Sequence, residues 1–257
     1  MTISVADICR YPVKGMTAEV LVRVVLTPGE GLPHDRRFAL VHAASQYDPA
    51  RPEWMPKQHF LNLMRDEKLA QLEVEFDDES GMLTISRAGK RVAGGNITER
   101  MGRTLVNQFL GAFMPPGSRG NPRIVETAGS SFSDCADDFV SIVNLASVND
   151  IERVAREAVD PRRFRANLYI HCDEAWQERD WIDREIAVGS ARLRVVAPIE
   201  RCAATTVNPA TAERDLNLPL ILERGFGHVE TGVYAEVVEG ATVSAGDKVA
   251  VLGRPSD

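Results

Sequence analysis

Short runs of β-branched and apolar residues, set apart by turn residues, constrain this chain most. Ile3–Tyr11, Val20–Leu26, Phe38–Val41, Leu69–Phe76 and Met82–Ser86 read as strands in the first ninety residues. Asp77-Asp78-Glu79-Ser80-Gly81 reads as a hairpin loop between the last two. In the second half, Phe139–Leu145, Asn167–His171, Glu185–Val188, Arg192–Ala197, Val233–Val238 and Lys248–Leu252 read the same way, with a hairpin turn at Val188-Gly189-Ser190-Ala191. Helical patterns are few. Ile97–Leu110 is one, with Asn96 and Glu99 as a capping pair, a face of Met101, Leu105, Phe109 and Leu110, and a stop at Gly111. A second is capped by Ser147 with Asp150, buries Ile151, Val154, Ala155 and Ala158, and ends at Asp160-Pro161. A third, short one spans Pro219–Glu223 and stops at Gly225. Many short strands with few helices predict a mainly β, α+β chain of two barrel-like domains, not a doubly wound sheet.

The division between them falls in MPPGSRGNPR, residues 114–123, where three prolines and two glycines interrupt every periodicity. The expected domains are 1–113 and 124–257, joined by that linker. Gln46–Asn62, rich in proline and aromatic residues, is expected to be a long irregular loop of the kind that carries function or moves.

Charge and cysteines narrow the classes. Thirty Lys and Arg against 37 Asp and Glu give a net charge of −7 over 257 residues. That balance opposes nonspecific nucleic-acid binding, which needs many cations to neutralise phosphates. No run approaches the 18 apolar residues of a membrane span, and no signal peptide is read, so neither a membrane nor a nucleic acid is an expected partner. Cys9, Cys135, Cys172 and Cys202 form no CxxC pair. Free thiols in a reducing, cytoplasmic setting are expected. GxGxxG in a βαβ context, Walker A, HExxH and GxSxG motifs are absent, which removes P-loop and zincin chemistry.

Four segments carry chemistry. In Arg10-Tyr11-Pro12-Val13-Lys14-Gly15, a lysine beside a glycine at a strand end can grip an anion, or stand solvated. In Gly31-Leu32-Pro33-His34-Asp35-Arg36-Arg37, Arg36 or Arg37 can bind phosphate, or an Asp–Arg pair can stiffen the loop. In Arg162-Arg163-Phe164-Arg165-Ala166-Asn167, alternation on an extended chain would align Arg163 with Arg165 and Arg165 with Asn167, whose amide suits a heterocycle edge. In Glu200-Arg201-Cys202-Ala203-Ala204-Thr205-Thr206, a cation adjoins a thiol. A cation favours the thiolate, which ligates soft metals or acts as a nucleophile. A buried structural cysteine is the plain alternative. Together the four suit a phosphate-bearing anion held beside a thiolate.

These segments resemble the MOSC superfamily. RYPVKG and GLPHDRRFALV over residues 1–110 are similar to its N-terminal β-barrel domain. FSD, VSIVNLASV, RFRANLYI, RCAATTVNP and GDKVAVL over 123–252 are similar to the MOSC domain itself. Members include amidoxime-reducing components and a bacterial hydroxylaminopurine-resistance protein. The resemblance implies molybdenum cofactor (molybdopterin) bound through Cys202 as metal ligand and catalytic cysteine. It implies cofactor contacts from Lys14, Gly15, Arg36, Arg165, Asn167 and Arg201, with Thr205 and Thr206 close by. It implies an oxidoreductase that removes oxygen from N-hydroxylated small molecules. No iron–sulfur cluster is expected in this chain, so a separate ferredoxin-like or cytochrome-like protein would donate electrons. A sulfur carrier with a persulfide on Cys202 and a non-catalytic cofactor carrier are the alternatives. The chain departs from the family pattern at Gly15, often Ser, at Asn208, usually Asp, and in the more acidic Ser133–Asp138 segment.

Overall fold

The computed structural model describes residues 3–43, 45–48, 54–114, 120–127 and 131–253. Its strands are β1 (Ser4–Arg10), β2 (Glu19–Leu21), β3 (Arg23–Val25), β4 (Phe38–Val41), β5 (Glu73–Asp77), β6 (Met82–Arg87), β7 (Lys90–Asn96), β8 (Arg123–Glu126), β9 (Val140–Asn144), β10 (Leu168–His171), β11 (Glu185–Val188), β12 (Ala191–Glu200), β13 (Glu230–Glu239), β14 (Thr242–Ser244) and β15 (Val249–Val251). Its α-helices are α1 (Arg100–Phe113), α2 (Leu145–Ala155) and α3 (Leu218–Phe226). The chain is mainly β with a few helices, as expected. No described helix is long and apolar enough to cross a membrane.

One eight-stranded sheet dominates, in the order β15-β11-β12-β13-β9-β10-β1-β2. Every neighbouring pair in it is antiparallel except β9 and β10. A parallel pair needs a crossover, and α2 supplies it. The hairpin β5-β6-β7 forms a separate three-stranded sheet, and β4-β8 and β3-β14 are two-stranded. Three pairings join the halves on either side of 114–123: β1 with β10, β4 with β8, and β3 with β14.

Period-two burial drives the pairing. In β5, Val74 and Phe76 face inward while Glu73, Glu75 and Asp77 face water. Val5 and Ile8 of β1 pack with Ile142, Leu168, Val195 and Val233 in one core. Phe38, Leu40, Val74, Leu83, Val106 and Leu110 form a second. Val148, Ile151, Leu218 and Leu222 form a third, between α2, α3 and the sheet.

Several local expectations need correction. α1 buries Gly102, Val106 and Leu110, while Met101 is 70% exposed and Leu105 49%. The register turns on Gly102, whose missing side chain lets the helix press on the Asn96 backbone: a Cβ there would lie 1.9 Å from its carbonyl oxygen. A glycine carries no apolar signal, so the stripe reads one position early. Asn96 turns the chain by accepting from Thr98 N–H rather than capping the helix, and the helix runs past Gly111. α2 is capped by Asn144, not Ser147, and ends at left-handed Arg156, before Asp160-Pro161. α3 ends at Gly227 (φ 74°), not Gly225. The first part of Leu69–Phe76 belongs to a 3₁₀ turn, Glu67–Gln71. Val20–Leu26 splits at exposed Val22 into strands of two sheets. Residues 115–119 of the expected linker and 49–53 of the expected loop lie outside the described residues, and Arg123 already belongs to β8.

Candidate functional site

The site gathers where β1, β12 and the loops around Arg36 and Arg165 end. Lys14 follows β1, and its N–H donates to the Phe38 carbonyl (2.8 Å), fixing the peptide against β4. Its side chain is buried. The Nζ donates to Phe132 O (2.8 Å) and to the Asp134 carboxylate (2.6 Å). Burial weighs against the ammonium charge and lowers its pKa despite Asp134. Gly15 next to it adopts φ 85°, and a Cβ there would press on Leu69.

Arg36 sits at φ 50°. Its N–H donates to Tyr11 O (2.7 Å), and its carbonyl accepts from Phe132 N–H (2.9 Å). Its guanidinium pairs with Asp35 and donates to Arg165 O (2.8 Å). Arg165 approaches the same ring as Arg36: the two guanidinium carbons lie 4.3 and 4.8 Å from the Tyr11 ring centroid. Arg165 Nη1 donates to Met16 O (2.6 Å), while its Nη2 is buried with no partner. Burial lowers its pKa to about 10, so it stays charged at neutral pH.

Cys202 opens a 3₁₀ turn, Ala203–Thr206, just past β12. Register shifts in the β12–β13 ladder around Pro198 bend the strand before it. Arg201 locks one side of the cysteine, donating to Thr231 O and to Phe164 O (2.8 Å). Thr205 locks the other, its hydroxyl and N–H both meeting Cys202 O at 2.9 and 3.1 Å. Buried Arg163 clamps the turn, donating to Thr205 O (3.4 Å) and Thr206 O (3.2 Å) while paired with Asp215. Cys202 is partly exposed, and Lys57 lines the same cavity.

A cavity of about 400 Å³ brings together Lys14, Gly15, Arg36, Arg165, Asn167, Arg201, Cys202 and Thr205. Thr206 stands outside it. Its hydroxyl donates to Ala203 O (2.7 Å) and accepts from Arg214 (2.9 Å). Asn167 reaches the wall with its amide already engaged: Oδ1 accepts from Ser141 N–H and Oγ, and Nδ2 donates to Cys9 O (3.3 Å). Extended alternation does not align Arg163, Arg165 and Asn167, because Pro161–Phe164 is a 3₁₀ turn and Arg165 is left-handed. The turn instead sends Arg163 to the Cys202 turn and Arg165 to Tyr11. Arg37 points away, to Glu126 (2.6 Å).

Three wall residues escaped sequence reasoning: Lys57, Asp134 and Tyr234. Lys57 comes from the irregular 46–62 loop, whose composition was the only signal. Burial opposes the Asp134 charge, but Lys14 and Lys57 pull its pKa down to about 2. Tyr234 projects from β13, and Cys135 lines the same cavity.

The donor set suits an anionic heterocycle with a soft metal. Lys14, Arg36 and Lys57 bring cations to the cavity, Arg165 keeps a buried N–H without a partner, and the partly exposed Cys202 and Cys135 lie on the wall. The carboxylate of Asp134 on Lys14 shows that an anion fits there. Among the described residues, no group of three or more His, Cys, Asp or Glu side chains gathers as a metal cage.

Fold and site define a mostly-sheet protein with a cationic cavity that carries a thiol on a strand-end turn. The chain belongs to the MOSC family: residues 117–250 match the MOSC domain, and residues 2–112 match the MOSC N-terminal beta barrel domain. It is 23% identical over 265 residues to molybdenum cofactor sulfurase of Bos taurus, covering 90% of this chain and 30% of that protein. It is 29% identical over 90 residues to mitochondrial amidoxime reducing component 2 of Rattus norvegicus, covering 35% and 25%. With mitochondrial amidoxime-reducing component 1 of Homo sapiens it shares 26% over 125 residues, covering 44% and 36%. The chain thus spans well under half the length of these relatives. The crystal structure of the YuaD protein from Bacillus subtilis superposes with a TM-score of 0.47 at 12% identity, covering 99% of this chain and 98% of that one.

Proposed function

We propose that the cavity binds the molybdenum cofactor, with Cys202 as the one protein ligand to the metal, and that the protein reduces N-oxygenated small molecules. The observation that carries this reading is the convergence of Cys202 with Lys14, Arg36 and Arg165 on one cavity, with the Nη2 of Arg165 buried and unpartnered. An unpartnered buried cationic N–H is costly unless an anion completes it. When bound, the cofactor would supply a centre that delivers two electrons to the N–O group while its oxygen departs, with two protons, as water. The chain's own residues do the rest. Lys14, Arg36 and Arg165 hold the anionic and heterocyclic parts. Arg201, Thr205 and Arg163 fix the Cys202 turn, so the thiolate needs no reorganisation to ligate. Electrons come from a separate redox protein, ferredoxin-like or cytochrome-like. Free thiols throughout suit a reducing, cytoplasmic setting.

A persulfide carrier is the second reading. It is favoured by the partly exposed thiol and by similarity along 90% of the chain to a cofactor sulfurase. Molybdenum per chain, measured by metal mass spectrometry on protein from a cofactor-making host, separates the two. Near one molybdenum per chain, lost in Cys202→Ser with the fold intact, supports the cofactor reading. No molybdenum, with sulfane sulfur accepted by Cys202, supports the carrier.

A further inference from the structure

The cations of the cavity fall into two sets. Lys14 is sunk in the wall, its side chain 8% exposed, close to Arg36 and Arg165. Lys57 stands at the solvent side, 38% exposed, on the same cavity wall as Cys202. The chain places a carboxylate of its own against both. Asp134 Oδ1 is 2.6 Å from Lys14, and Oδ2 is 3.5 Å from Lys57. The second contact is long, and the Asp134 side chain is 45% exposed, so this carboxylate is held loosely on its Lys57 side. An incoming carboxylate can replace it there without uncovering a buried charge.

We propose that Lys57 is the substrate-anchoring, specificity-determining residue of this site, and that the preferred substrate carries a carboxylate close to its N–O group. The proposal rests on the cofactor reading above. It adds that the inner cations serve the cofactor while Lys57, on the open side of the thiol, serves the substrate. Asp134 keeps the anchor covered until a substrate carboxylate displaces it. Attraction between a partly exposed ammonium and an arriving anion raises the local concentration of that anion beside Cys202. The neutral form of the same molecule gains nothing.

The test uses apo-protein from a host that makes no cofactor, in a Cys135→Ser background, and follows alkylation of Cys202. Iodoacetate and iodoacetamide have nearly the same shape and react identically: the thiolate sulfur bonds to the methylene carbon and iodide leaves. Only the first carries a carboxylate. The ratio of their rates at one pH therefore cancels the thiolate fraction and reads anion anchoring alone. Lys57→Met should lower the ratio about fivefold, the scale of one partly exposed charge pair. Lys57→Arg should restore it, and Asp134→Asn should raise it above that of the parent. Continued reaction of Lys57→Met with iodoacetamide shows that the thiol is still presented. An unchanged ratio in Lys57→Met overturns the proposal. So does loss of molybdenum from Lys57→Met made in a cofactor-producing host, because Lys57 would then belong to the cofactor set. Absence of molybdenum from the unaltered protein would sink the cofactor reading by itself, whatever the ratio.

Discussion

The Nη2 of Arg163 lies 2.7 Å from both carboxylate oxygens of Asp215. Arg163 is 2% exposed and Asp215 34%, so the pair holds a buried cation at the cost of one half-open anion. Asn208 adds a third tie, donating to Asp215 at 2.6 Å. Through Nη1, Arg163 grips the carbonyls of the Cys202 turn, while its Nε is buried without a partner. Asp215→Asn should therefore destabilise the fold by about 1–3 kcal/mol in urea unfolding. It should also lower molybdenum retention while the protein remains folded, because the turn loses its clamp. Unchanged stability would mean that Arg163 finds another anion.

Arg165 trades stability for binding. Its Nη2 has no partner, and burial depresses its pKa to about 10. Arg165→Met removes an incompletely satisfied buried charge but keeps much of the apolar contact with Tyr11. The apo-protein should lose less than about 1 kcal/mol, or gain, because a buried charge is costly without full pairing. Cofactor retention should fall. Thermal unfolding and metal content, measured on the same preparations, check both parts. A large loss of apo stability would assign Arg165 to the scaffold.

The four thiols should separate into two pairs. Burial raises Cys9 to about 11, and burial with the nearby Glu178 and Asp173 carboxylates raises Cys172 to about 12. At pH 7.5 roughly one in a thousand or fewer of either is a thiolate, the reactive form. A short pulse of iodoacetamide on native protein should label Cys135 and Cys202, and peptide mapping should find Cys9 and Cys172 labelled only after denaturation. Cys172→Ser should leave molybdenum content unchanged.

Glu178 is a buried carboxylate that accepts from Asn144 Nδ2 (2.9 Å) and from the Ser147 hydroxyl (2.9 and 3.0 Å). Burial pushes its pKa above the ordinary value despite those donors. The folded state thus favours the protonated acid. Its contribution is fully present below the unfolded pKa and lost as pH rises through the higher folded one. Glu178→Gln should match or exceed the parent in stability at pH 7.5 and lose that relative advantage near pH 4. Parallel denaturant titrations at the two pH values would show it, and a difference that stays constant with pH would refute it.

The legible parts of this molecule were those coded by contiguous residues. Cys202, Lys14 and Arg36 follow or precede strands whose apolar runs are plain, so their place at strand ends could be read directly. Lys57 could not, because tertiary contacts set its loop: Asn62 donates to Lys57 O (2.9 Å) and Phe60 packs on Phe132. β7 was missed because Lys90–Asn96 carries two glycines and no alternation of burial. Asn167 and Arg201 have the right side chains for a ligand, yet the fold commits their visible hydrogen bonds to holding strands and turns together, which residue type alone does not reveal. Thr206 follows Thr205 by one step of a 3₁₀ turn, where adjacent hydroxyls face different ways, and its own meets Ala203 O and Arg214.

The pairing of β1 with β10 also sets a schedule. Val5 meets Ile170 across about 165 residues of chain, so during synthesis β1 exists for on the order of ten seconds before its partner is made. Through that interval β1 can pair only with β2, through Ile8 and Leu21, and the apolar faces of Val5 and Ile8 are open to other chains. Chaperone occupancy on stalled nascent chains should therefore persist until β10 has cleared the ribosome, and should be lost only once β12 and β13, which bring Val195 and Val233, have followed.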